Sequence, residues 1–330
     1  MQADDFDGLY AIIPTPARPN ADHWNATDTV NVEETARLVE NLITEGISGI
    51  LALGTTGECA TLTAPEYETF VSCVVETVGG RVPTFIGATA LGTHEVIHRL
   101  QFVHDIGATG TLLGLPMWQP LTTAMAVSYY RDMSEAFPDL SVMVYANARA
   151  FRYAFPSEFW LAIVKEAPTV TSAKVSRSVG LKEAIEVTGG AIRFLPNEMK
   201  LQEFQQIAPI QPVACWATAA SMGPALILAL LHAARTDETL MSELSASIAW
   251  AHEPIAELLA DQDAFASYNI QIEKVRMQTA GYCNPGPVRP PYAMLPDRYE
   301  VGAQECGRRW RELCDRITLN ATVDTSNRGN

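Results

Sequence analysis

Lys174 closes the run Thr169-Val170-Thr171-Ser172-Ala173-Lys174, whose other side chains are small or β-branched. Such a run reads as a buried strand with a lysine at its C-terminal end. An amine stripped of water there has a lowered pKa and stays neutral. A neutral amine attacks a keto group to give an imine, which then serves as an electron sink. Taken alone, the same pattern describes a lysine snorkelling past a strand end, which is the commoner occurrence. Tyr145 ends a second apolar run, Val142-Met143-Val144-Tyr145-Ala146-Asn147. A phenol there could move the protons that imine chemistry requires, or could be a core tyrosine with a satisfied hydroxyl. Gly54-Thr55-Thr56-Gly57-Glu58 follows a third run, Gly49 to Leu53, and precedes a helix signal from Thr63. Hydroxyls and backbone N–H groups at such a turn can hold a carboxylate or phosphate, and an ordinary βα loop would look the same.

His94-Glu95-Val96-Ile97-His98 is formally HExxH, with His104 where a third zinc ligand would stand. Position 101 is glutamine rather than a chain-turning glycine, so a continuous helix puts His104 about 120° off the face of His98. Zinc-protease chemistry is therefore set aside. No Ser-His-Asp arrangement or P-loop is present.

These residues must be positioned by a regular frame. Apolar runs of four to seven residues alternate with helical periodicity from Gly8 to about Arg235, making eight strands and eight helices. Among the helices, Thr93 to Ile106 is expected to have a threonine N-cap, and Pro156 to Glu166 a proline in its first turn. The strands are continuously apolar, as in parallel sheets covered on both faces. This predicts an α/β (β/α)8 TIM barrel over residues 1–235, with an open doubly wound sheet as the competing architecture. No GxGxxG follows the first strand, which counts against the open sheet. Residues 236–330 read as a helical segment: Leu240 to Leu259, Ala264 to Thr279 and Gln304 to Ile317, with the rigid stretch Asn284 to Pro291 between the last two. The polar tail Thr322 to Asn330 is expected to fray. A barrel places its active site at the C-terminal ends of its strands. There stand Thr15, Thr55 and Thr56, Thr89, Met117 and Trp118, Tyr145 and Asn147, Lys174, Asn197, and Trp216 with Thr218.

Composition narrows the function. The net charge of -15 argues against nucleic acid and against an anionic membrane surface, and requires local positive groups for any anionic substrate. The six cysteines form no CxxC pair and read as reduced thiols. The acidic N-terminus is no signal peptide and no apolar run approaches a membrane span, so a cytoplasmic location is expected.

The Gly54-Thr55 signature, Tyr145 and Lys174, each at its expected strand end, resemble the dihydrodipicolinate synthase / N-acetylneuraminate lyase family, class I pyruvate aldolases on a (β/α)8 barrel. The resemblance spans nearly the whole chain. It implies that Lys174 forms the Schiff base, Tyr145 shuttles protons and Thr55 supports its phenol. Thr56 and the turn at Gly54 would hold the pyruvyl carboxylate. Two departures from the synthases matter. Their tyrosine pair after strand four is replaced by Pro116-Met117-Trp118-Gln119-Pro120, and the arginine after strand five is shifted to Arg149 beside Phe151. Leu115-Pro116-Met117-Trp118, Tyr145-Ala146-Asn147, Phe194-Leu195-Pro196, Tyr268-Asn269-Ile270 with Glu273-Lys274, and Arg289-Pro290-Pro291-Tyr292 are similar to the hydratase-aldolase branch, which cleaves arylidene-pyruvates in the breakdown of naphthalene and related aromatics.

That branch implies a trans-arylidene-pyruvate as small-molecule partner and no cofactor beyond the imine on Lys174. Asn147 and Asn269 would position water or a ring substituent, and Trp118 and Trp216 would wall the ring. Asn197 and Glu198 stand on the aryl side. Arg177 either reads a ring substituent or faces solvent. A homotetramer is the family's usual assembly. The alternatives are a sugar-acid or dihydrodipicolinate synthase-like aldolase, and a non-catalytic keto-acid-binding protein on the same fold.

Overall fold

The computed structural model describes residues 1–209 and 213–327, without side chains beyond residue 319. Eight strands form one sheet: β1 (Gly8–Ile12), β2 (Gly49–Ala52), β3 (Thr84–Gly87), β4 (Gly110–Leu113), β5 (Ser141–Ala146), β6 (Val170–Val175), β7 (Arg193–Leu195) and β8 (Ala214–Ala217). Their order is β7-β6-β5-β4-β3-β2-β1-β8, and each laddered pair is parallel. A parallel bridge from Asn197 to Trp216 joins the two ends. The Trp216 N–H donates to the Pro196 carbonyl at 2.9 Å there. The barrel predicted from the apolar runs is thus the observed architecture. Apart from Ala146, every strand residue is buried, which is why the runs do not alternate.

The outer layer is α1 (Val32–Thr44), α2 (Ala64–Val78), α3 (Thr93–Asp105), α4 (Thr123–Ala136), the single turn α5 (Ala148–Phe151), α6 (Ser157–Glu166), α7 (Leu181–Thr188), α8 (Leu201–Ile207) and α9 (Ala225–Thr236). In α1 the Asn31 side chain accepts from Glu34 N, and Thr35, Leu38, Val39 and Leu42 form the buried stripe. In α2 Thr63 and Glu66 make a reciprocal capping box. Two expected helix starts differ. Gly92, not Thr93, is the N-cap of α3, and Pro156 is the N-cap of α6 rather than a residue of its first turn.

The C-terminal helices are α10 (Glu238–His252), α11 (Ala256–Ala260), α12 (Gln262–Ala280) and α13 (Asp297–Asn327). One helix was expected over Leu240 to Leu259, but a 3-10 turn at Glu253–Ile255, with Pro254 inside it, divides the segment. α13 starts earlier than its apolar residues suggested and continues through most of the tail expected to fray; residues 328–330 lie outside the described residues. Met277, Ala280, Trp310 and Leu313 join the same buried cluster as the barrel. The indole of Trp310 donates to the Gly223 carbonyl at 3.0 Å. All six cysteines are free. Among the described residues no helix is long and apolar enough to cross a membrane.

Candidate active site

β5 and β6 lie side by side with Tyr145 opposite Lys174. Neighbours in register point to the same face of a sheet, so the phenol and the amine meet at the barrel mouth. Lys174 is 5 % exposed. Its Nζ lies 4.6 Å from the Tyr145 ring centroid and 3.3 Å from that of Trp216. Burial pulls the amine below its ordinary pKa, against the opposing pull of Tyr145 and Glu198. Burial alone would push the Tyr145 phenol up. The Lys174 charge and hydrogen bonds from Thr55 and Asn147 outweigh it and bring the phenol below its usual value. The Thr55 Oγ1 to Tyr145 OH distance is 3.0 Å, and Asn147 Nδ2 donates to the same oxygen at 3.3 Å.

The turn after β2 is held in an unusual backbone path. Leu53 and Glu58 both adopt left-handed φ, 58° and 55°. Gly57 is required, because a Cβ there would stand 2.6 Å from the Leu53 nitrogen. Gly54 is different: an added Cβ would make only ordinary contacts with Leu112 and Tyr145, so it keeps space open beside the phenol. Among the described residues the Thr56 and Gly57 N–H groups have no backbone acceptor, which leaves them available to an anion.

The turn is fastened from behind. Glu58, with no side-chain exposure, lies 2.6 Å from Lys274 Nζ and 2.7 Å from Arg289 NH1. It also accepts from Arg289 N at 2.8 Å. Lys274 donates to the Pro287 carbonyl and Arg289 to the Thr15 carbonyl. Lys274 and Arg289, from two of the pieces noticed in the sequence, therefore converge on the glycine-threonine turn.

In front of Lys174 is a cavity of about 840 Å³. Gly54, Thr55, Thr56, Tyr145, Asn147, Lys174, Asn197, Trp216 and Asn269 all line it, as do Arg149 and Arg177. The expected Trp118 does not. It is 76 % exposed on the loop after β4, and its carbonyl accepts from Arg152. Phe155, Trp160, Phe194 and Phe265 supply aromatic wall instead. Two of the expected amides are also engaged locally. Asn147 caps α5 through Ala150 N while donating to Tyr145, and Asn197 caps the turn Glu198–Lys200 while donating to Glu198. Each amide keeps a second N–H and a second acceptor lone pair, and both residues line the cavity. Arg177 hydrogen-bonds Gln262 at the cavity edge. The histidines of the HExxH segment lie on α3, where Glu95 pairs with Arg99, and they do not line the cavity.

Sequence reading gave no role to one wall of the cavity, where Glu273 and Arg276 of α12 meet His252 of α10. Arg276 pairs with Glu273 at 3.0 Å and donates to His252 Nε2 at 2.7 Å, while His252 Nδ1 donates to the Ile248 carbonyl at 2.9 Å. The Glu273/Arg276 spacing of three was the available signal, since it puts both on one helix face. Burial, with Arg276 adding to it, pushes His252 down to about 3 from an ordinary 6.5. Between those values the unfolded chain binds a proton that the folded chain refuses. This residue therefore withdraws stability as pH falls from 6.5 toward 3, by about 1.4 kcal/mol per unit. Denaturant unfolding across that range should show a shallower pH slope for His252→Gln than for the wild type; equal slopes would refute the buried neutral imidazole.

A barrel with a buried lysine, a phenol and a hydroxyl-bearing turn at its mouth defines a class of lyase folds, and the comparisons agree. The chain belongs to the dihydrodipicolinate synthetase family, whose model matches residues 18–152. It is 41% identical over 317 residues to a trans-O-hydroxybenzylidenepyruvate hydratase-aldolase of Pseudomonas putida, covering 95% of each chain. It is 36% identical over 313 residues to a trans-2'-carboxybenzalpyruvate hydratase-aldolase of Nocardioides sp. (strain KP7), covering 93% of each. Among solved structures, PhdJ bound to substrate intermediate superposes with a TM-score of 0.91 at 34% identity, over 96% of this chain and 99% of that one.

Proposed function

We propose that this protein hydrates a trans-arylidene-pyruvate and cleaves the adduct to an aromatic aldehyde and pyruvate, in the catabolism of aromatic compounds. The observation that carries this reading is Lys174, buried between the Tyr145 and Trp216 rings and opening into an aromatic-walled cavity. Lys174 condenses with the 2-keto group, and the Thr55-Thr56 turn holds the neighbouring carboxylate. The iminium conjugates with the alkene and draws electrons from the benzylic carbon, where water adds. Retro-aldol cleavage releases the aldehyde and leaves a pyruvate enamine, which Tyr145 protonates before hydrolysis frees Lys174. The imine is itself the electron sink, so the reading needs no metal or organic cofactor. The relatives' names support the arylidene-pyruvate over a sugar acid, and so do the aromatic walls. The reading includes a cytoplasmic homotetramer, which light scattering on the purified protein would test.

The direct test is a panel of substituted benzylidene-pyruvates, with aldehyde and pyruvate quantified together. Equimolar release is expected; condensation of pyruvate with an aldose, and not with aromatic aldehydes, would move the assignment to a sugar-acid aldolase. Tyr145→Phe should lower turnover by about 10²- to 10⁴-fold while pyruvate still binds. Unchanged turnover would remove Tyr145 from the proton path.

A further inference from the structure

The reaction proposed above, on which this inference rests, bonds water oxygen to the benzylic carbon and later turns that oxygen into a carbonyl. The oxygen gives up a proton each time, so a base must face it. Lys174 is consumed in the imine, and Tyr145 is held by Thr55 and Asn147 beside the nitrogen. His252 has both ring nitrogens engaged, and Glu273 is paired with Arg276. Arginine stays protonated. Glu183 and Lys200, also on the cavity, are solvent-exposed. One carboxyl of the lining is left.

Glu198 is 3 % exposed and lines the cavity. It opens the 3-10 turn Glu198–Lys200 directly after the Asn197–Trp216 bridge that closes the barrel. That places it beside the strand whose Trp216 ring covers Lys174. The Asn197 amide donates to its Oε2, and among the described residues it forms no ion pair. A buried carboxyl that neutralises no cation is costly unless it is used. The charged and titratable groups that face it are Lys174 from β6, Cys215 from β8, and Glu273 and Arg276 from α12, and His252 of α10 lines the same cavity. Burial pushes Glu198 up to about 7; Glu273 adds to the rise, and Arg276 and Lys174 oppose it. A carboxyl titrating there exchanges protons efficiently at neutral pH. Glu273 Oε2, buried on the same wall without a hydrogen-bond partner, is an acceptor that can hold a water nearby.

We propose that Glu198 is the acid–base residue of the hydration and cleavage steps. In hydration its carboxylate takes one proton from water as the oxygen bonds to the benzylic carbon. The alkene pair moves into the iminium, and the resulting enamine takes the proton back from Glu198 at the carbon next to the imine. In cleavage the carboxylate takes the proton of the new hydroxyl. The C–O bond becomes C=O, the adjacent C–C bond breaks, and its pair enters the iminium as the pyruvate enamine. Glu198 returns that proton to solvent as the aldehyde leaves. Tyr145 protonates the enamine and is reprotonated by solvent.

The test compares Glu198→Gln and Glu198→Asp with the wild type in two assays. Deuterium exchange into the pyruvate methyl group reads imine and enamine formation at Lys174. Cleavage of a benzylidene-pyruvate reads the whole cycle. E198Q should retain exchange and lose cleavage by about 10²- to 10⁴-fold, with part of the loss restored in E198D. In the wild type, cleavage should fall below a pH near 7 along a limb that exchange does not share. Wild-type cleavage and pH profile in E198Q overturn the proposal, and so does loss of exchange and cleavage together in both variants, which makes Glu198 structural. Absence of exchange in the wild type is a different result: it overturns the Lys174 reading itself.

Discussion

Lys174→Met is expected to lower turnover of an arylidene-pyruvate by on the order of 10⁴- to 10⁶-fold, the scale seen when an enzyme loses its covalent nucleophile. Methionine fills nearly the same volume and brings no charge. The ammonium is costly where it stands, 5 % exposed between two aromatic rings, so its removal should leave the melting temperature unchanged or raised. Activity and stability therefore move separately, which distinguishes a chemical role from a structural one. Arginine at the same place would keep the charge and still be inactive, because a guanidinium does not deprotonate. Stopped assays for released pyruvate, with a thermal melt of each variant, decide this. Wild-type turnover in K174M would overturn the imine mechanism.

Glu58→Ala should cost about 3–5 kcal/mol of stability, a large share of the ~5–15 kcal/mol that holds a typical domain folded. The cost comes from what stays behind. Lys274 and Arg289 are each 3 % exposed in their side chains and share the Glu58 carboxylate at 2.6 and 2.7 Å. Without it, two cations are buried side by side. Burial, with Arg289 adding to it, already draws Lys274 down to about 8 against the support of Glu58. The loss should also reach the site, because Glu58 ends the turn that carries Thr55 and Thr56. KM for pyruvate in the exchange reaction should rise more than kcat falls. Urea unfolding of E58A and E58Q measures the first effect. A cost under about 1 kcal/mol, the range of exposed ion pairs, would mean that the cluster is not the fastening described here.

Much of the frame was legible because parallel barrel strands advertise themselves as continuous apolar runs, and because strand ends fix which side chains reach the mouth. Lys174, Tyr145 and Thr55 could be placed together before any coordinates. What escaped depends on direction or on distance along the chain. Trp118 lies in the irregular segment after β4, where no periodicity says which way an indole points, and it faces outward. The amides of Asn147 and Asn197 line the cavity as expected, but the sequence did not show that each also caps the turn that follows it, as short polar side chains at helix starts tend to do. The buried charges of α12 resisted prediction for another reason. Residues 273, 274 and 276 look like a solvated helix face until Glu58, Glu198 and His252 arrive from remote parts of the chain. Burial that set Glu198 apart was likewise invisible in Asn197-Glu198, which as a dipeptide resembles any polar turn.

The most direct measurement is borohydride reduction of the wild-type protein in the presence of pyruvate, followed by peptide mass mapping. The account predicts one reduced pyruvyl adduct, on Lys174, and its loss in K174M. No adduct, or an adduct on a different lysine, would contradict it.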